Sequence, residues 1–76
     1  MSNLPQISGE KLVKALKRDG WIPVSQRGSH QKLIKHHKPV GHSTIIVPMH
    51  KTVKKGTLGA ILKDAKMPVE KLRKLL

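Results

Sequence analysis

An α+β domain in the order α-β-β-β-α, closed by a short helical tail, is what this sequence predicts, and three observations predict it. Apolar residues recur at helical spacing near both ends of the chain. Alternating and β-branched residues fill its middle, and Gly or Pro marks each junction. With 76 residues the chain suits one domain, spanning 1–76, because lengths near a hundred residues seldom divide. It contains no internal repeat, linker or low-complexity segment.

Each element follows from its residues. Ser8-Gly9-Glu10 can cap and charge a helix start, Leu12, Val13 and Leu16 form an apolar stripe, and Asp19-Gly20 supplies an end, which gives a helix over roughly 8 to 19. Trp21 to Gln26 reads as a short strand in which Pro23, lacking an N–H, points to a sheet edge or a bulge. Gly28 allows the positive φ of a tight turn. His30 to His36 forms the second strand, Pro39-Val40-Gly41 turns the chain, and Ser43 to Val47 is a third strand, so the middle is an antiparallel meander. After a basic loop from His50 to Gly56, Thr57 can cap a second helix carrying Leu58, Ile61, Leu62 and Ala65 on one face. Pro68 stops that helix and opens the tail at its first position, with Val69, Leu72 and Leu76 as the tail's apolar side.

Charge narrows the function. Sixteen Lys and Arg stand against four Asp and Glu, a formal net charge of +12, and an excess of that size indicates a polyanionic partner. The segment MSNLPQISGEK lacks the apolar core of a secretory signal and no apolar run approaches the ~20 residues of a membrane span, so a cytoplasmic protein is expected. Absence of Cys removes thiolate chemistry and disulfides. All four carboxylates, Glu10, Asp19, Asp64 and Glu70, fall on the helical segments or their ends, leaving none in the basic middle from Arg27 to Lys55. A Mg²⁺ nuclease or a glycosidase would need carboxylates clustered there. Ser29 and His30 are chain neighbours whose side chains diverge on a strand, which disfavours a hydrolase dyad. His36, His37 and His42 flank a solvated turn rather than converging as zinc ligands would, so no metal or other cofactor is expected.

Cleavage of RNA fits what is left. The 2′-hydroxyl is an internal nucleophile, so an enzyme needs only a proton acceptor, a proton donor and positive charge near phosphorus, for which imidazole, Lys, Arg and backbone N–H groups suffice. A lone aromatic residue, Trp21, cannot build a base-stacking platform and reads as core.

Gly28-Ser29-His30 after the Gly20-Trp21 strand start, then Val47-Pro48-Met49-His50, then Lys55-Gly56-Thr57-Leu58 with Ile61-Leu62, resembles the HicA family of toxin–antitoxin mRNA interferases over about residues 8 to 66. The resemblance implies a double-stranded-RNA-binding-domain-like fold, two helices on one face of a three-stranded antiparallel sheet. It also implies that His30 is catalytic and that a HicB-type antitoxin silences the protein. Strand two departs from the family, with Gln31 and Lys32 where members often carry an aromatic or other apolar residue.

The leading expectation is a metal-independent endoribonuclease acting on mRNA, with His30 as general acid or base. Arg27, Gly28, Ser29, Lys32, His50, Lys54, Lys55 and Thr57 would contact RNA or its phosphates, Lys54 and Lys55 beside a helix N-terminus whose dipole favours anions. The alternative is a noncatalytic RNA-binding module of the same fold, in which His30 is a polar residue beside a turn and the Lys-rich loop is ordinary surface. DNA binding ranks below both, because no helix-turn-helix pattern appears.

Overall fold

The computed structural model of the chain describes residues 4–76. The start of MSNLPQISGEK, and with it part of the signal-peptide reading and the first residues of the 1–76 domain, lies outside the described residues. Six elements follow in chain order: α1 (Gly9–Arg18), β1 (Ile22–Arg27), β2 (His30–His36), β3 (His42–Pro48), α2 (Lys55–Asp64) and α3 (Val69–Leu75). The strands form one antiparallel sheet in the order β1-β2-β3, and the α-β-β-β-α arrangement with a helical tail is the expected one.

Local chemistry sets the boundaries. Ser8 caps α1, its Oγ accepting from the Lys11 N–H at 3.1 Å. The helix ends at Arg18 with Asp19 as its C-cap, and Gly20 (φ 99°) follows, where the N–H groups of Gly20 and Trp21 turn back to the carbonyls of Lys17 and Leu16, both at 3.0 Å. Pro23 meets both of its expectations at once, since β1 is an edge strand and its register with β2 slips between Pro23 and Ser25. Gly28 holds φ 54° in the β1–β2 turn.

The second helix differs from expectation at both ends. Lys54 is its N-cap and Lys55 its first residue, so Thr57 sits inside the first turn instead of capping it. Its stop comes before Pro68, at Lys66 (φ 53°) and Met67, whose N–H bonds the Leu62 carbonyl at 2.9 Å. Helical pattern alone does not separate a cap from a residue three positions inside. Pro68 is the N-cap of α3 rather than its first residue, and Leu76 lies 46 % exposed while Leu75 packs on the core.

Alternation along the strands splits the sheet into two faces. Leu33, Ile45 and Val47 point inward and are buried, meeting α1 and α2 on that one side, and α3 packs against α1. Leu12, Leu16, Leu58 and Leu72 are fully enclosed between these layers. Trp21 is 3 % exposed and closes the core beyond the end of α1. Among the described residues no helix is long and apolar enough to cross a membrane.

Asp19 ties the layers together ionically. The Asp19 carboxylate receives Lys71 Nζ of α3 at 2.7 Å and Lys35 Nζ of β2 at 3.2 Å. Burial pushes this carboxyl up, but the two ammonium groups, by hydrogen bond and by charge, together hold it below its ordinary value.

Candidate active site

Among the described residues no helix covers the opposite sheet face, which is organised in rows by strand pairing. Arg27 of β1, His30 of β2 and Pro48 of β3 lie side by side, followed by Ser25, Lys32 and Ile46, then Ile22, Ile34 and Thr44, and at the far end His36 beside His42. Directly paired residues share a face, so His30 stands between a cation and the end of β3. Gly28 makes this possible: the left-handed turn folds β2 back at once, and His30 is the first strand residue after it.

Beyond Pro48 the chain curls over the edge of this face. The Met49 N–H donates to the Ser29 carbonyl at 2.6 Å, the Gly9 N–H to the His50 carbonyl at 2.9 Å, and the Val53 N–H to the Ile7 carbonyl at 2.9 Å. A Cβ on Gly9 would lie 2.2 Å from the Pro48 oxygen, so this approach requires glycine. These hydrogen bonds fix the loop of residues 49–54 against both the β1–β2 turn and the start of α1. His50 is thereby held at the mouth of a cleft of about 350 Å³ lined by His30, Ile46, Pro48, His50, Lys54 and Thr57.

The N-terminus of α2 opens on the same cleft. No side chain caps it and its first turn contains no acid, whereas α1 has both a Ser8 cap and Glu10. The first N–H groups of a helix lack intrahelical partners, so α2 presents donors and a positive dipole end next to Lys54 and Lys55.

Of the residues that the sequence singles out, the fold brings His30, His50, Lys54 and Thr57 together around one cleft. Arg27 and Lys32 share the open sheet face beside it, exposed. Gly28 and Ser29 shape the turn, and Ser29 contributes its carbonyl to the loop. Lys55 lies exposed at the first position of α2, next to the cleft but outside its wall. Of Gln31 and Lys32, the two residues of the strand-two departure, Gln31 faces the helix side and donates to the Ser25 carbonyl at 2.7 Å, while Lys32 lies on the open face. Sequence reasoning misses Ile46, Pro48 and Gly9. Pairing of His30 with Pro48 can be counted from the turn lengths, but nothing in the local sequence shows that Gly9 meets Pro48.

Far from the cleft, the His36 and His42 rings meet edge-on with centroids 6.2 Å apart, and His37 Nε2 lies 2.6 Å from Ser43 Oγ. Among the described residues no three His, Asp or Glu gather as metal ligands would.

Comparison with curated proteins finds no match. Residues 9–67 match the family described as HicA toxin of bacterial toxin-antitoxin. That span runs from the first residue of α1 to the turn after α2, and includes every residue of the cleft. The chain therefore belongs to the HicA toxin family and is a toxin of a bacterial toxin–antitoxin system.

Proposed function

We propose that this toxin is a metal-independent endoribonuclease that cuts mRNA, with His30 transferring the proton and the uncapped N-terminus of α2 receiving the phosphate. The observation that carries this reading is the shared cleft: an exposed imidazole, a second imidazole, a Lys and a helix start around one space large enough for a phosphodiester. Attack of the 2′-oxygen on phosphorus breaks the bond to the 5′-oxygen, leaving a 2′,3′-cyclic phosphate and a 5′-hydroxyl. His30 takes the proton of the 2′-hydroxyl or supplies one to the leaving oxygen. His50, on the cleft's other wall, serves as second proton carrier or phosphate ligand. N–H groups of Lys55, Gly56 and Thr57, with the Lys54 ammonium, stabilise the charge that builds on the phosphoryl oxygens. Arg27 and Lys32 extend the cationic track over the open sheet face, where Gly28 and Ser29 bring the turn backbone close to the RNA. None of the four carboxylates lines the cleft, so its donor set suits phosphate rather than a divalent cation.

A toxin of this kind has a cognate antitoxin. We propose that it is of the HicB type and covers the His30 cleft, since occluding the site is the direct way to silence such an enzyme.

Incubation of wild type and His30→Ala with single-stranded RNA in EDTA tests the reading. Wild type is expected to cut, and the variant to cut ~10²–10⁴-fold more slowly while still binding RNA and no longer arresting growth. Equal cutting by both would remove His30 from the chemistry. Intact RNA with wild type would leave a noncatalytic RNA-binding module.

A further inference from the structure

Charge on the outward side of α1 is not used by the cleft. Lys11, Lys14 and Arg18 recur at helical spacing and fall on one stripe of α1, and Ile7 lies just before its Ser8 cap. With Leu76 they line a groove of about 260 Å³ beside the end of α3. Arg18 is fixed there because its guanidinium donates to the Leu75 carbonyl, and Lys11 and Lys14 are exposed. The apolar walls are Ile7, 8 % exposed, and Leu76. Glu10, the one acid of α1, lies off this stripe and does not line the groove. An aliphatic slot rimmed by three cations, with no Asp or Glu side chain in its lining, is therefore open on a surface separate from the His30 cleft.

We propose that this groove docks an acidic amphipathic segment of a protein partner, with an aliphatic side chain seated between Ile7 and Leu76 and carboxylates facing Lys11, Lys14 and Arg18. Charge complementarity and the apolar slot together select this occupant. Exposed ion pairs are individually weak, so the aliphatic anchor supplies the buried area and the cations supply orientation, as in other recognition of amphipathic segments. RNA fits less well: a phosphate chain gains nothing from an aliphatic slot, and bases would want aromatic faces that the groove lacks. A toxin that must be held by its antitoxin gains from such a second grip, because two linked binding events multiply in avidity. Docking here is independent of whether the cleft cuts RNA.

The test is a titration of the isotope-labelled full chain, followed by its amide signals, with three probes. One is a synthetic amphipathic peptide with Leu on one helical face and Glu beside it, one is the same peptide with every Glu replaced by Gln, and one is a short oligouridine. The acidic peptide is expected to shift the amides of residues 11–18 and Leu76 and to leave those of His30 and Lys54 in place. The Gln peptide, and the variant carrying Lys11→Glu with Lys14→Glu, should each weaken binding about tenfold, the sum of several weak exposed pairs. Neither lysine belongs to the cleft, and a dispersed spectrum verifies that the variant folds; if it does not, the Gln peptide alone decides. Absence of binding, or equal binding of the Gln peptide, overturns the proposal. Oligouridine that shifts the α1 amides and displaces the peptide also overturns it, and makes the stripe an RNA-binding surface.

Discussion

Single atoms decide how firmly the cleft is built, and Gly9 is the clearest case. Replacing it with Ala improves helix propensity by up to ~1 kcal/mol, yet the added methyl would stand 2.2 Å from the Pro48 oxygen and 2.8 Å from the Met49 Cα, both backbone atoms. Overpacking of this kind costs about 1 to 3 kcal/mol, so Gly9→Ala should be less stable in urea unfolding and should displace His50; a variant more stable than wild type would show that the strand end yields freely. Asp19 makes a second prediction. Its folded value is lowered below the ordinary 3.8, so its contribution is present above that value and is lost as pH falls through the lower, folded one. Melting temperature measured against pH should therefore decline at the acid end in wild type. Asp19→Asn should begin less stable at neutral pH and change less over that window, and parallel curves would remove the tie from the stability of the fold. Legibility in the sequence is uneven at this scale. His30 can be read because Gly28 forces the turn that exposes it, and Gly-Ser-His survives as a contiguous string. The partners of Gly9 and Asp19 lie far away in the chain, so no local pattern marks them.

Among the elements, α2 holds the largest share of the proposed phosphate site for the least distinctive sequence. Its apolar face, Leu58, Ile61, Leu62 and Ala65, is legible from spacing and is buried as spaced. Its start is not, because Thr57 is a better cap than Lys54 by side-chain chemistry, and the fold places the uncapped Lys54 there instead. That exchange leaves N–H groups unclaimed where an anion can reach them. Changing Lys54 and Lys55 together to Ala should weaken RNA binding and flatten the slope of log affinity against log salt by about one unit for each phosphate no longer held. An unchanged slope would move the phosphate to Arg27 and Lys32 on the open sheet face. The strands are readable nearly to their ends, since Pro23 and the turn glycines leave few choices. What pattern does not supply is the way residues 49–54 fold back, and that path is what joins His50 to His30.

For the whole molecule, composition bounds the outcome well: a net charge of +12 suits a surface that attracts anions, and a small apolar core suits marginal stability. Removing the largest core ring, Trp21→Ala, should cost about 3 to 5 kcal/mol out of a total of about 5 to 15 kcal/mol for a domain. Calorimetry should find its melting transition sharply lowered or abolished, whereas full stability together with failure to bind RNA would return the ring to a stacking role. The two-sided sheet, helices behind and cations in front, is foreseeable from the α-β-β-β-α order, but which face holds His30 depends on register. Trp21 is also the chain's sole aromatic side chain of the Phe, Tyr and Trp class, and it sits in the core away from the His30 cleft. Intrinsic fluorescence of this protein is consequently a one-fluorophore thermometer of folding: its emission maximum moves to the red when the core opens and is deaf to nucleic acid arriving at the far side of the sheet.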